Sequence, residues 1–193
     1  MIQPSPITFA CDVMLGGLAR WLRAAGYDAS WRADIGDWEL IRTARYEDRM
    51  VLTSDTGIMR RGVIRDGDVP ALFVPHGLGI QEQLTFVLEG LNLPLRESRC
   101  MACGGALSEI KKDDVQERVP PRSFAWLDHF WECERCRHVF WKGTHWTRIM
   151  DQLQRMCLTS GLGITSHPVF TSNILFSPLD FGLSHAYYSS ARD

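Results

Sequence analysis

Two Cys-x-x-Cys pairs, Cys100 with Cys103 and Cys133 with Cys136, constrain this chain more than any other feature. Each such turn presents two thiolates to one ion, and two turns complete the tetrahedron that zinc prefers. The 29 residues between the pairs (104–132) leave room for a hairpin and a loop. Four thiolates fill the coordination sphere, so the expected ion is a structural Zn²⁺ with no open position for chemistry. His129, His138 and His145 are close enough in sequence to replace one cysteine. A module of about 50 residues with few aliphatics buries too little apolar surface to fold alone, so the metal is expected to supply folding free energy. The six cysteines could instead pair as disulfides. The paired spacing and the lack of a basic, apolar leader in Met1–Phe9 favour reduced thiols and a cytoplasmic setting. Cys11, inside an apolar run, reads as a small buried hydrophobe, and Cys157 is left over.

The stretch before the cysteines alternates in character. Ile7–Cys11, Arg49–Thr53 and Ala71–Val74 are short apolar runs of the kind buried on both faces of a parallel sheet, and Ala29–Arg32 is a briefer extended piece. Between and after them, Met14–Ala25, Trp38–Ala44 and Ile80–Leu91 carry apolar residues at helical spacing. The alternation predicts an α/β domain with a mainly parallel sheet flanked by helices, over residues 1–95. Residues 96–150 then form the cysteine module, expected as a zinc ribbon. Residues 151–193, rich in Ser and Thr, read as a poorly ordered or loosely packed tail. No glycine-rich phosphate loop follows a strand, and no apolar run is long enough to span a membrane. Residues 1–95 hold 9 basic and 12 acidic residues (−3), and residues 96–150 hold 10 and 8 (+2), so any nucleic-acid contact must be local.

Function is expected at the carboxyl ends of parallel strands, near the switch in strand order. Asp12 and Asp55 each end an apolar run abruptly, and Asp34 and Asp37 follow the intermediate extended piece on the same side. Four carboxylates from three distant segments could therefore converge, and clustered Asp oxygens suit Mg²⁺ or Mn²⁺. Each has a plainer reading too: Asp37 and Asp55 as helix caps, Asp34 as a turn residue. Asp12, ahead of Met14-Leu15, has no evident structural need. Asp28, Asp48, Asp66 and Asp68 read as solvated surface groups, and Glu39 as part of an exposed helix face.

Several ordered motifs resemble the Mut7-C ribonuclease family. They are Asp12-Val13-Met14-Leu15-Gly16-Gly17-Leu18-Ala19-Arg20-Trp21-Leu22-Arg23, Gly26-Tyr27-Asp28, Leu52-Thr53-Ser54-Asp55, Ser98-Arg99-Cys100 and Trp141-Lys142-Gly143-Thr144-His145-Trp146. The likeness covers roughly residues 7–150. It implies a PIN-like nuclease domain followed by a zinc ribbon, and metal-dependent cleavage of RNA by Asp12, Asp37 and Asp55, with Asp34 as a fourth carboxylate. Ser54 stands where relatives often have Arg, which removes one phosphate contact. Arg20, Arg23, Arg60 and Arg61 could meet phosphates, and Lys142, His145 and the ribbon tryptophans could stack with RNA, single-stranded or structured. Arg20 and Arg23 also suit a solvated helix face, and Trp126, Trp131, Trp141 and Trp146 a small core. The expected activity is a metal-dependent ribonuclease; the competing reading is a non-catalytic RNA- or protein-binding adapter.

Overall fold

A computed structural model describes residues 7–160, with the side chains of His145 and residues 157–160 outside the description. Four parallel strands, β1 (Phe9–Cys11), β2 (Ala29–Ser30), β3 (Met50–Thr53) and β4 (Ala71–Phe73), lie in the order β2-β1-β3-β4. Phe9 stands opposite Ala29 on one side and Met50 on the other, and Thr53 opposite Phe73. The runs are apolar throughout because both faces are covered. Phe9, Cys11 and Leu52 point toward α1 (Gly16–Ala24), Ala10 and Val51 toward α2 (Asp37–Tyr46), in strict alternation. Two single-turn helices, α3 (Thr56–Met59) and α4 (Gly62–Arg65), add Ile58 and Ile64 to the second layer. Helix α5 (Ile80–Gly90) adds Leu84, Val87 and Leu88 to the first.

The cysteine module contains an antiparallel sheet of β5 (Leu107–Ile110), β6 (Phe130–Cys133) and β7 (Val139–Trp141), with the short helix α6 (Pro121–Trp126) before β6. Its core is small, as expected: Val115, Val119 and Phe130, with Phe124, Leu127 and Trp141 packed around them. Trp126 does not join this core and remains exposed. Glu132 is buried there between Arg118 (2.7 Å) and Arg137 (2.8 Å), a carboxylate that removal of either partner would leave undercompensated.

The boundary after the module differs from the expectation. The last helix, α7 (Thr144–Ser160), runs out of the module and back onto the first domain. There Ile149 and Leu153 join the core beneath α1 and α5, with Met150 and Met156 against it. Residues 151–156 are thus helical and tied to the α/β core through Leu153 and Met156 rather than a loose tail, and the module sits as an insertion between α5 and α7; residues 161–193 lie outside the described part.

The junction draws on a residue that the sequence placed on the surface. Asp28, read as solvated, is a half-buried hub: its carboxylate meets Arg49 (3.3 Å) of the α/β domain and Arg135 (3.3 Å) and Arg99 (4.0 Å) from the module side. Gly104, at φ +78°, leaves the space this hub needs, since a Cβ there would stand 2.9 Å from Asp28 Oδ1. Gly26, at φ +96°, ends α1 where a Cβ would fall 2.5 Å from that of Arg96. Tyr27 donates its hydroxyl to the Pro94 carbonyl, and Ser98 donates to the Ala24 carbonyl.

Candidate active site and metal centre

The sulfurs of Cys100, Cys103, Cys133 and Cys136 all lie within 4.8 Å of one another, with Cys100 and Cys136 at 3.5 Å and Cys103 and Cys133 at 3.5 Å. Zn–S bonds of ~2.3 Å in a tetrahedron put sulfurs about 3.8 Å apart, so these four cysteines could bind zinc with little adjustment. Tight turns hold them. The Gly104 amide donates to the Cys100 carbonyl (2.7 Å), and the Cys100 amide to the Gly105 carbonyl (2.9 Å). Gly105 is needed beside the ligands, because a Cβ would stand 2.7 Å from the Cys133 sulfur. Burial pushes the Cys100 and Cys103 thiols up. At Cys133 burial acts the same way but is outweighed by the main-chain N–H groups of Cys136 and Arg135, which bring the thiol down to about 7. Thiols bind zinc as thiolates, so metal binding must displace the protons that the buried Cys100 and Cys103 retain.

Arg23 belongs to this centre and not to an RNA surface. It is 5% exposed. Its Nε donates to the Ala29 carbonyl (2.8 Å), and its Nη1 to the carbonyls of Met101 (3.0 Å) and Ala102 (2.9 Å), the two residues between the first pair of cysteines. A guanidinium so committed has no fork to offer a phosphate, which corrects its assignment as a substrate contact. Arg20, one turn earlier on the same helix, is exposed.

At the other end of the α/β domain, β1 and β3 are adjacent while their connections diverge, which makes their carboxyl ends the topological switch point. Asp12 and Asp55 follow these two strands, and Thr53 ties them together. The Asp12 amide continues the sheet to the Leu52 carbonyl (2.9 Å). Its carboxylate is buried and accepts the Val13 N–H at Oδ1 (2.6 Å) and the Thr53 hydroxyl at Oδ2 (2.6 Å). The same Thr53 oxygen accepts the Asp55 N–H (2.9 Å). An ionised carboxylate only accepts and an amide only donates, so the direction of this relay is fixed. Asp55 in turn caps α3, its Oδ1 accepting the Gly57 N–H (2.6 Å). Asp12 thus does have structural work, holding the turn of Val13–Leu15 that leads into α1.

The other two carboxylates are each held by an arginine. Asp37, in the first turn of α2, is 3.3 Å from Arg61 Nη2, and Asp34 is an exposed residue 3.8 Å from Arg32, which also holds Glu39. Among the described residues the four cysteines are the one group of His, Cys, Asp or Glu placed to hold a metal unaided, and the four aspartates form no such group. Sequence reasoning missed Thr53 as the bridge between the strand ends, although its place as the polar last residue of an apolar strand was a signal. It also missed Arg61 as the partner of Asp37, for which the sequence carries none. Lys142 lies over the Trp131 ring (5.0 Å) in the module, and the His145 side chain lies outside the described residues.

No described helix is long and apolar enough to cross a membrane. The family described as Mut7-C RNAse domain matches residues 7–153, a span that begins just before β1 and ends at Leu153, where α7 is anchored in the core. No curated protein and no solved structure matches the chain. With the parallel sheet, the four clustered cysteines and the returning helix all inside the matched span, the chain belongs to the Mut7-C RNAse domain family, whose description implies a nuclease acting on RNA.

Proposed function

We propose that this protein is a metal-dependent ribonuclease, a PIN-like α/β domain that hydrolyses RNA phosphodiester bonds at the carboxyl rim of its sheet while a zinc ribbon helps to hold the RNA. The observation that carries the reading is the Asp12–Thr53–Asp55 relay at the switch point of a Mut7-C chain. The donors suit Mg²⁺ or Mn²⁺: such ions bind through one or two carboxylates and substrate phosphates and keep several waters, so they do not need a closed protein cage. Asp12 and Asp55 would hold the ion, with Asp37 joining them. When bound, the ion neutralises phosphate charge and makes water nucleophilic at neutral pH.

The chain's own residues supply orientation. Thr53 and the Val13 amide fix the Asp12 carboxylate, and each of its oxygens keeps acceptor capacity beyond these bonds. The cap to Gly57 fixes Asp55 in the same way. Asp34 is exposed and arginine-paired, and in this reading it shapes the local negative potential instead of touching the ion. Arg20, Lys142 and His145 would meet phosphates. Zn²⁺ on the four cysteines has a structural role, since a closed thiolate set leaves no site for substrate.

A second reading, a non-catalytic RNA- or protein-binding adapter, draws on the pairing of Asp37 with Arg61 and on the absence of a preformed carboxylate group among the described residues. One assay separates the two. Metal-stripped protein reloaded with zinc is incubated with labelled single-stranded, hairpin and duplex RNA, with and without Mn²⁺. Cleavage only with Mn²⁺ supports the ribonuclease; binding without turnover on every substrate supports the adapter.

A further inference from the structure

The carboxyl rim carries a surface that metal chemistry does not need. Six large apolar side chains of the described residues are exposed, and four of them are on this rim: Val13 (41%), Met14 (53%), Trp38 (66%) and Ile80 (45%). Val13 and Met14 form the turn directly after Asp12, Trp38 follows Asp37, and Ile80 opens α5 beyond the end of β4. Single exposed apolar residues are ordinary, but a concentration beside a candidate site marks a binding surface. The backbone makes room for it. Gly17 allows Ile80 to lie against α1, since a Cβ there would stand 2.8 Å from Ile80 Cδ1. The Trp31 indole, resting against Gly16, donates to the Val13 carbonyl (2.9 Å) and holds the Val13–Met14 turn in place.

Trp38 is the telling member. Arg61 sets its guanidinium over the indole at 4.9 Å and reaches Asp37 at 3.3 Å. Both contacts are partly exposed, where ion pairs and cation–π contacts are weak and easily exchanged. A phosphodiester offers Arg61 a stronger, bidentate partner than Asp37 does. An indole beside a phosphate-binding guanidinium is the pairing that single-stranded nucleic acids use, with one base stacked and its phosphate clamped. In an A-form duplex the base faces are stacked on each other and cannot reach such a platform.

Resting on the ribonuclease reading above, we infer that Trp38 and Arg61 form a nucleotide subsite that selects single-stranded RNA. A base stacks on Trp38, its phosphate draws Arg61 away from Asp37, and the Asp37 carboxylate is thereby released to the site only when substrate is in place. Val13, Met14 and Ile80 give the flanking bases an apolar shelf. The Asp37–Arg61 pairing is on this account a substrate-dependent latch.

The test uses full-length zinc-loaded protein in two arms. In the first, Asp12→Asn protein without Mg²⁺ or Mn²⁺ is titrated by fluorescence anisotropy with a single-stranded RNA octamer, an octamer with abasic positions and a duplex of the same sequence. Adding Trp38→Ala should weaken octamer binding about tenfold, and Trp38→Phe should keep most of it. Abasic octamer should be insensitive to both, and duplex should bind worst. In the second arm, Trp38→Ala in otherwise unaltered protein should raise KM for single-stranded RNA far more than it lowers kcat. Octamer affinity and KM within about twofold of the parent, or equal sensitivity of the duplex, overturn the subsite. Because the first arm needs neither metal nor turnover, Trp38-dependent binding without cleavage would uphold the subsite and sink the ribonuclease. Cleavage with a Trp38-independent KM would do the reverse, and neither binding nor cleavage would remove both. Trp38 is exposed enough that the alanine variant should fold, and the phenylalanine variant checks this.

Discussion

Replacing Arg23 with alanine removes the side chain that fastens the first cysteine turn to α1. Three hydrogen bonds are lost, to the carbonyls of Ala29 (2.8 Å), Met101 (3.0 Å) and Ala102 (2.9 Å). Hydrogen bonds to charged groups contribute about 1.5–3 kcal/mol each, and unpaired buried acceptors add a penalty. Arg23 is 5% exposed, so solvent screens these bonds little. Water entering the vacated space and local relaxation offset part of the sum, leaving an expected loss of about 3–5 kcal/mol. For a chain of this size that is roughly a 10 °C fall in Tm, and a large share of a typical total stability. Urea unfolding of zinc-loaded Arg23→Ala protein measures it. Arg23→Lys keeps the charge but not the planar fork, and should recover less than half of the loss. A loss below about 1 kcal/mol, or full recovery by lysine together with weakened RNA binding, would refute the clamp and return Arg23 to a phosphate-contact role.

Three further outcomes follow from the same geometry. Leu153, 1% exposed in the core beneath α1 and α5, should cost about 2–5 kcal/mol when changed to alanine, and a near-neutral effect in thermal melts would contradict the docking of α7. Chelating the zinc should unfold the cysteine module while natively purified protein carries about one zinc per chain, and protein that retains its circular dichroism after metal removal would contradict a structural role. Burial pushes the Cys11 thiol up to about 12 from 9.0, so the folded chain keeps a proton that the unfolded chain has lost. The stability from this group is complete below pH 9.0 and disappears as pH rises toward 12, so wild type should lose stability more steeply than Cys11→Ala across that window, with equal slopes as the contrary result.

What could be read from the sequence, and what could not, divides along contact range. The strands were visible because a parallel sheet covered on both faces demands unbroken apolar runs, and Phe9–Cys11 and Met50–Thr53 are such runs. The abrupt polar stops at Asp12 and Asp55 then gave the rim. The four cysteines were visible because a zinc site demands both a ligand type and a spacing, and two Cys-x-x-Cys pairs meet them. Arg23 and Asp28 were misread because their partners lie elsewhere in the chain: Arg23 meets a carbonyl 78 residues away and Asp28 an arginine 107 residues away. Local pattern gives a charged residue on a helix or in a turn to solvent, and only the docking of a second module reverses that. Ile149, Leu153 and Met156 keep helical spacing across the proposed boundary, but the Ser- and Thr-rich composition that follows obscured it. The pairing of Asp37 with Arg61 depends on how α2 and α4 meet at the rim, which no single segment records.

The most direct measurement of the central claim is the initial rate of cleavage of a labelled single-stranded RNA in Mn²⁺, compared between wild type, Asp12→Asn and Thr53→Val, with zinc content and melting temperature checked for each. Asp12→Asn should lose at least about a thousandfold in rate while staying folded, since a carboxylate holding the ion is removed. Thr53→Val keeps both carboxylates but frees their orientation, so it should fall in between, by about ten- to a hundredfold. An Asp12→Asn protein that cleaves at the wild-type rate, or wild-type cleavage unaffected by removing Mn²⁺ and Mg²⁺, would contradict a carboxylate-held metal centre at the switch point.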